Sequence, residues 1–188
     1  AEDALGRLVA GTIDDLADRD LVVEAVFESP EAKRAVFERL DALCPPATRF
    51  ASNTSSLSVT AMGRGLSRPV VGMHFFNPVP VMELVEVVAG EETPADLVNE
   101  VVELAGRLGK TAVRVNEAPG FVVNRILMPM LNEAVAVLAD GTASAADIDT
   151  AMAHDTGDQR FAAHPLLAEH VEAGRLGRKS GAGFHDYD

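Results

Sequence analysis

The sequence predicts an α/β fold, with a largely parallel sheet in the first part of the chain and only helices in the second. Short apolar runs rich in β-branched residues alternate with segments of helical periodicity up to about residue 117. This alternation is typical of parallel strands that are joined by crossover helices. Beyond that point the apolar residues follow helical spacing alone, so we predict two domains, residues 1–117 and 118–188.

The first strand and its crossover helix are predicted near the start of the chain. Leu21–Phe27 is a nearly continuous apolar run, as expected for a strand that is buried on both faces. Ser29 is suited to cap a following helix, and Pro30 fits the first helical position. Apolar residues then recur at helical spacing until Pro45 and Pro46, which end the helix.

Four more strands are predicted, with a second crossover helix before the last of them. The strands are Arg49–Ser52, Val70–Met73, Leu84–Val88 and Thr111–Val115. The helix begins after Thr93-Pro94 and ends at Gly109, because glycine readily adopts the left-handed conformation found at helix ends. The alternation of these strands with helices indicates an α/β layer with a largely parallel sheet.

The second domain is predicted to be all-helical and to mediate dimerisation. Residues 121–138 form a long apolar segment with few charges. Ser144 is placed to cap the next helix, with Asp147 three residues later as the acid of a capping box. A helix as apolar as residues 121–138 is expected to be buried on several faces, which in a small domain indicates a subunit interface. We therefore predict a homodimer formed through the C-terminal helices.

Composition excludes several classes of function. The net charge of −13 argues against nucleic acid as a partner, because phosphate binding needs a basic surface. No apolar run approaches the roughly 20 residues of a membrane span, and the N-terminus lacks a signal-peptide pattern. Cys44 is the single cysteine, and no histidines stand at metal-ligand spacing. These observations predict a cytoplasmic protein without a bound metal and without a membrane partner.

The strongest candidate for catalysis is the segment Gly72–Glu86, which contains His74 and Glu86. An apolar run, two aromatic residues, an Asn-Pro turn and a second apolar run indicate two strands joined by a sharp connection. A histidine beside a carboxylate can move a proton near neutral pH. His74 is predicted at the carboxyl end of a strand, where ligands bind in open α/β sheets. The alternative is that His74 caps a strand while Glu86 lies on the rim of the sheet.

Two further polar features are candidates for binding, Ser52–Ser56 and Asn124. The five small polar residues after a strand could present donors to a ligand, or form an ordinary turn that caps a helix. With His74 and Glu86 they could also indicate a serine hydrolase, but no Gly-x-Ser-x-Gly elbow surrounds any serine. Asn124 lies in an apolar helix and needs a partner on a neighbouring helix or in a cleft, because an unpaired buried amide costs about 1–3 kcal/mol.

Six motifs resemble those of the L-3-hydroxyacyl-CoA dehydrogenase family, in particular its bacterial 3-hydroxybutyryl-CoA dehydrogenases. They are DLVVEAV (20–26), ASNTSSLSVT (51–60), GMHFFNPVPVMELVEV (72–87), EAPGFVVNRI (117–126), DIDTAM (147–152) and AGRLGRKSGAGF (173–184). The motifs cover nearly the whole chain, and the run that begins at His74 is the most specific. The resemblance implies a partial Rossmann-type parallel sheet followed by a small helical domain that binds substrate and mediates dimerisation.

The resemblance also implies a reaction and a set of site residues. The reaction would be NAD-dependent oxidation of an L-3-hydroxyacyl-CoA to a 3-oxoacyl-CoA, and its reverse, as in the β-oxidation of fatty acids. His74 would be the general base that takes the hydroxyl proton, and Glu86 would orient it and stabilise its charged form. Ser55 and Asn124 would hold the substrate oxygen and the thioester region. The positions of NAD contacts would be Glu28, Lys33, Asn53, Ser55 and Asn77.

Two departures from the family pattern lead to alternative hypotheses. The chain contains no Gly-x-Gly-x-x-Gly phosphate loop, and His164 follows Met152 by only 12 positions where the family has a longer stretch. The sequence thus resembles a family member that is truncated at the N-terminus and shortened internally. Such a chain could be catalytically inert and act at most as a dimerisation module. It could also belong to a dehydrogenase of the same fold that acts on a free hydroxy acid or sugar acid.

Overall fold

Two compact units make up the chain, residues 1–127 and residues 128–188. A computed structural model describes residues 6–156, 169–170, 172–175, 180 and 182. The whole sheet belongs to the first unit. The two units divide within a helix, at a later point than the domain boundary predicted near residue 117, and that boundary stays a prediction.

Five strands form one mostly parallel sheet, in the same spatial order as in the sequence. They are β1 Leu21–Glu24, β2 Arg49–Ser52, β3 Val70–Phe75, β4 Leu84–Ala89 and β5 Thr111–Asn116. Strands β1, β2 and β3 are parallel, β4 is antiparallel to β3, and β5 is parallel to β4. The connection between β3 and β4 is too short for a crossover helix, which explains the antiparallel pair. The predicted α/β fold is confirmed.

Helices cover both faces of the sheet, and the core is divided accordingly into two clusters. Helices α1 (Pro30–Leu43) and α2 (Val59–Gly63) pack on one face, and α3 (Ala95–Arg107) packs on the other. Neighbouring strand residues alternate between the clusters, as Phe50 and Ala51 do. Strands β2, β3 and β4 are therefore buried on both sides, whereas β5 is mostly exposed. The first strand ends at Glu24 and Phe27 is 89% exposed, so the prediction of a buried strand that extends to Phe27 is wrong for its last residues.

The predicted ends of the crossover helices are confirmed. Ser29 caps α1, because its side chain accepts the backbone N–H of Ala32 at 3.2 Å. Gly109 adopts a φ of 74° just beyond α3, so that the N–H of Lys110 reaches the carbonyl of Ala105 at 2.9 Å. These local signals determine where α1 begins and where α3 ends, and hence how the chain enters and leaves each strand.

Two helices follow the sheet, α4 (Val123–Ala139) and α5 (Ala145–Thr156). Ser144 caps α5 as predicted, since its hydroxyl accepts the backbone N–H of Asp147 at 3.2 Å. No residue of α4 is buried, and several of its large apolar side chains are exposed in the described part of the chain. Most of the motif at residues 173–184 lies outside the described residues. Within the described residues no helix has the length and apolar character to cross a membrane.

Candidate active site

His74 and Glu86 form a hydrogen-bonded pair within the sheet. They are directly opposite each other in the antiparallel β3–β4 pair, so both side chains lie on the same face. Nδ1 of His74 is 2.8 Å from Oε2 of Glu86, and the two residues are 5% and 0% exposed. Because a carboxylate oxygen accepts, the contact assigns the tautomer in which Nδ1 carries the hydrogen and Nε2 is the acceptor. The structure therefore brings together the pair that the sequence predicts.

The second oxygen of Glu86 is bound by the beginning of α4. The backbone N–H groups of Val122 and Val123 both donate to Oε1 of Glu86 at 3.0 Å. Such N–H groups have no partner within a helix, and they carry the partial positive charge of the helix N-terminus. Both oxygens of this buried carboxylate are therefore hydrogen-bonded, one to His74 and the other to α4.

Two aromatic rings enclose the imidazole of His74. The ring centroid of Phe76 is 4.5 Å from that of His74, and the ring of Phe121 is 5.8 Å away. Both rings are tilted against the imidazole, an arrangement that aromatic pairs favour. Phe121 is itself only 2% exposed. The rings therefore restrict the orientation of the imidazole and limit its access to water.

Asn124 and Ser55 are in direct contact. Asn124 lies in the first turn of α4, immediately after the residues that bind Glu86, and its Nδ2 donates to the backbone carbonyl of Ser55 at 3.1 Å. Asn53 lies in the same loop as Ser55, and its Oδ1 accepts a hydrogen bond from the backbone N–H of Phe75 at 2.9 Å. The four predicted catalytic residues thus belong to one connected network, which lies entirely within the first compact unit.

A buried lysine and two glutamates connect Ser55 to the end of β1. Nζ of Lys33 lies 2.8 Å from Oε1 of Glu24 and 3.1 Å from Oε2 of Glu28. The other oxygen of Glu28 accepts the backbone N–H of Ser55 at 2.8 Å and its hydroxyl at 3.2 Å. Glu28 therefore bridges the Lys33 ammonium and the Ser55 hydroxyl.

The partners of Glu28 lower its pKa below the usual value for a glutamate. Burial raises the pKa, but the hydroxyl of Thr54, the backbone N–H of Ser55 and the ammonium of Lys33 together outweigh burial. Each of these three donors favours the charged form of the carboxyl group. Glu28 is consequently an ionised acceptor at neutral pH, and it can hold the Ser55 hydroxyl in a fixed direction.

The residues predicted to contact NAD differ in accessibility. Asn77 is exposed just beyond β3, and the Glu28 side chain is 37% exposed beyond β1. Both follow the carboxyl ends of parallel strands, where dinucleotides bind in open sheets. The Lys33 ammonium is instead buried and ion-paired, and Asn53 uses its amide oxygen on the backbone of β3. The contacts of these residues with NAD stay predictions.

Glu24 and the backbone donors at the beginning of α4 are site groups that were not predicted from the sequence. Glu24 is 3% exposed, and it accepts hydrogen bonds from Lys33 and from the Ser52 hydroxyl at 2.7 Å. Its position within an apolar strand was a usable signal, because a carboxylate there must find a buried partner. The donors of Val122 and Val123 left no such signal, since they are backbone groups.

The fold and the site define a class of protein. A Rossmann-type sheet with helices on both faces and a buried histidine–carboxylate pair is compatible with an NAD-dependent oxidoreductase, and the family comparisons select this class. The family model for the 3-hydroxyacyl-CoA dehydrogenase NAD binding domain matches residues 2–118, and the model for the C-terminal domain matches residues 120–157 and 152–187. The chain belongs to the 3-hydroxyacyl-CoA dehydrogenase family.

Individual relatives agree with this assignment. The 3-hydroxybutyryl-CoA dehydrogenase of Clostridioides difficile is 45% identical over 206 residues, which cover 93% of this chain and 73% of that protein. The crystal structure of (S)-3-hydroxybutyryl-CoA dehydrogenase from Ralstonia eutropha is similar over 100% of this chain and 77% of its own, with 36% identity and a TM-score of 0.76. A diketoreductase structure is similar over 99% and 77%, with 29% identity and a TM-score of 0.80.

The interior of the chain is shorter than that of its relatives. The alignment with the Clostridioides difficile protein extends over 206 positions, whereas the whole chain has 188 residues. That relative therefore contains residues with no counterpart in this chain. The model for the C-terminal domain also matches as two stretches, residues 120–157 and 152–187, which overlap at residues 152–157. The predicted internal shortening is confirmed.

Proposed function

We propose that the chain catalyses the NAD-dependent oxidation of an L-3-hydroxyacyl-CoA to a 3-oxoacyl-CoA, and the reverse reaction, with His74 as the general base. The observation that carries this proposal is the buried pair of His74 and Glu86, which is connected through the beginning of α4 to Asn124 and Ser55. Two of the relatives are named 3-hydroxybutyryl-CoA dehydrogenases, and this supports a short-chain acyl-CoA as the substrate.

The His74–Glu86 pair has the geometry of a general base and its positioning carboxylate. Because Nδ1 is engaged with Glu86, His74 takes the proton of the 3-hydroxyl group on Nε2. The imidazole then becomes a cation, and the Glu86 carboxylate stabilises that charge at 2.8 Å. Ser55 and Asn124 hold the substrate oxygen and the thioester region. A bound NAD would supply the acceptor for the hydride that leaves the carbon bearing the 3-hydroxyl group.

NAD fits the loops that follow β1, β2 and β3. Glu28, Ser55 and Asn77 lie in these loops at the carboxyl edge of the parallel strands. They offer a carboxylate, a hydroxyl and an amide, which suit the hydroxyls of a ribose and the carboxamide of a nicotinamide. Lys33 and Asn53 support these loops, Lys33 through its ion pair with Glu28 and Asn53 through its hydrogen bond to β3.

Reduction of acetoacetyl-CoA by NADH tests this function. The protein is expected to consume NADH with acetoacetyl-CoA, and its kcat/KM for free acetoacetate is expected to be lower by at least about tenfold, because binding of the CoA moiety contributes to the reaction. The loss of NADH absorbance measures both rates. Equal or faster reduction of the free acid would contradict the acyl-CoA assignment.

Two other hypotheses remain distinguishable by experiment. The similarity to a diketoreductase, described as acting on dicarbonyl compounds, favours a free dicarbonyl or hydroxy acid as the second candidate substrate. Faster reduction of a free dicarbonyl compound than of acetoacetyl-CoA would support this second candidate.

The hypothesis of an inert dimerisation module requires that the chain does not bind NADH. Calorimetry on this chain decides, since micromolar affinity for NADH rules that hypothesis out.

We also propose a homodimer formed through α4. Four large side chains of this helix are 46% to 64% exposed and recur every three or four residues, namely Met128, Leu131, Val135 and Leu138. They form one apolar stripe, which a soluble protein rarely leaves uncovered. Sedimentation is expected to show a dimer that Val135→Glu dissociates and that Glu133→Gln, on the opposite side of α4, leaves intact. A monomeric native protein would contradict the dimer.

The domain boundary, the location and the metabolic role are also proposed. The two family-model matches end at residue 118 and begin at residue 120, which supports a boundary at 117–118. The presence of a single cysteine supports a cytoplasmic location. Oxidation of a 3-hydroxyacyl-CoA supports a role in β-oxidation. Limited proteolysis, cell fractionation and growth of a deletion strain on fatty acids test these three points.

A further inference from the structure

Phe121 has a left-handed backbone conformation beside His74. Its φ is 52°, and the preceding Gly120 has a φ of 73°. Glycine adopts this conformation freely, whereas for a residue with a side chain the left-handed conformation is less favourable by roughly 1–2 kcal/mol. A bulky residue stays there only where its surroundings enforce the conformation, and such residues cluster at functional sites. The left-handed conformation of Phe121 therefore indicates that this residue has a role in the site.

The turn at Gly120 and Phe121 orients the first backbone N–H groups of α4 toward Glu86. Immediately after the two left-handed residues, the N–H groups of Val122 and Val123 both point to Oε1 of Glu86 at 3.0 Å. The turn is closed by a hydrogen bond from the N–H of Arg125 to the carbonyl of Gly120 at 2.9 Å. The backbone at Phe121 therefore controls two of the hydrogen bonds that hold this buried carboxylate.

The side chain of Phe121 acts on the other member of the pair. Its ring lies 5.8 Å from the His74 imidazole, and it is anchored in the core cluster that includes Val88 and Val115. A single residue thus contacts His74 through its ring and directs the donors of Glu86 through its backbone. This double role accounts for a phenylalanine at a position whose conformation favours glycine.

We propose that Phe121 is a positioning residue for the reaction, and that the turn before α4 must form for the His74–Glu86 pair to be correctly aligned. The inference rests on the proposed function, because that function assigns the chemistry to His74. Phe121 acts through His74 and Glu86 and supplies no group to the substrate. Its loss should therefore reduce kcat and leave KM almost unchanged.

Steady-state kinetics of two leucine variants tests this role. Phe37→Leu is the matched control, since Phe37 is fully buried in the same core cluster but packs against Phe50 rather than His74. Phe121→Leu is expected to lower kcat by about 10- to 100-fold with KM changed by less than about threefold, because small misplacements at a reacting centre have such effects. Phe37→Leu is expected to lose similar thermal stability but to retain its kcat. An unchanged kcat in Phe121→Leu would overturn the proposal.

A spectroscopic measurement separates this inference from the proposed function. The hydrogen-bonded Nδ1–H of buried His74 should give a downfield proton resonance in isotope-labelled protein, which is assigned by its loss in His74→Gln. The resonance is expected in native protein and in Phe37→Leu, and it should be weakened or lost in Phe121→Leu. Its full retention in Phe121→Leu overturns the role of Phe121. If the resonance behaves as expected but native protein does not reduce acetoacetyl-CoA, the proposed function fails and the positioning role stands.

The backbone part of the proposal is tested at Val123. This residue is the first of α4, a helical position that accepts proline. Val123→Pro removes one N–H donor to Glu86, whereas Val123→Ala removes most of the side chain and retains the donor. The His74 resonance is expected to shift in the proline variant and to stay in place in the alanine variant. The same response in both variants would contradict a role for the turn's backbone donors.

Discussion

Replacing His74 by glutamine is expected to lower kcat for acetoacetyl-CoA reduction by about 10²- to 10⁴-fold while the protein stays folded. Glutamine is similar in size and its amide can still donate a hydrogen bond to Glu86, so the buried carboxylate keeps a partner. An amide does not carry a proton to or from a substrate oxygen near neutral pH. Kinetics in both reaction directions measures the loss of kcat, and thermal unfolding followed by circular dichroism shows whether the variant is folded.

The affinity of the His74→Gln variant for NADH is the internal control. His74 has its proposed role in proton transfer, so the dissociation constant for NADH should change by less than about threefold, which corresponds to well under 1 kcal/mol. A variant that binds NADH normally and has lost turnover places His74 in the chemical step. A variant that binds NADH and keeps turnover within about tenfold of the native rate would exclude His74 as the general base.

The pair at the centre of the site could be predicted because its geometry follows from local sequence. Val70–Phe75 and Leu84–Ala89 are apolar runs with a connection too short for a crossover helix, so they must pair as neighbouring antiparallel strands. His74 and Glu86 lie opposite each other in the observed register, whereas a slip by one residue would place them on different faces of the sheet. The contact between Asn124 and Ser55 has no such local basis, because 69 residues separate them.

The environment of Lys33 could not be predicted from the sequence. Its place in the first turn of α1 was evident, but its ammonium lies between Glu24 of β1 and Glu28 of the following loop. That position depends on how the crossover helix packs back against the sheet, which is a property of the tertiary structure. The exposure of Leu108 also could not be predicted from the sequence. Leu108 continues the apolar periodicity of α3, but the helix ends at Arg107 and Leu108 is 56% exposed.

Replacing Lys33 by methionine is expected to lower the free energy of unfolding by about 3–5 kcal/mol, because Glu24 would remain as a buried and unpaired charge. Lys33 is 1% exposed and Glu24 is 3% exposed, so water cannot replace the lost ammonium without local opening of the structure. The methionine side chain fills a similar volume, which limits any contribution from a cavity. Urea denaturation of native and variant protein measures the difference.

Two further variants separate the buried charge from other effects. Arg49→Met breaks the exposed pair of Arg49 with Glu100, for which we expect a much smaller loss of stability than for Lys33→Met. Glu24→Gln combined with Lys33→Met removes both buried charges, and it should recover much of the stability lost in Lys33→Met alone. A loss in Lys33→Met no larger than that in Arg49→Met would show that the buried pair is not ionised as described. If Lys33→Met and the double variant both bind NADH more weakly than native protein, although the double variant regains stability, Lys33 supports the cofactor through Glu28 independently of its contribution to the fold.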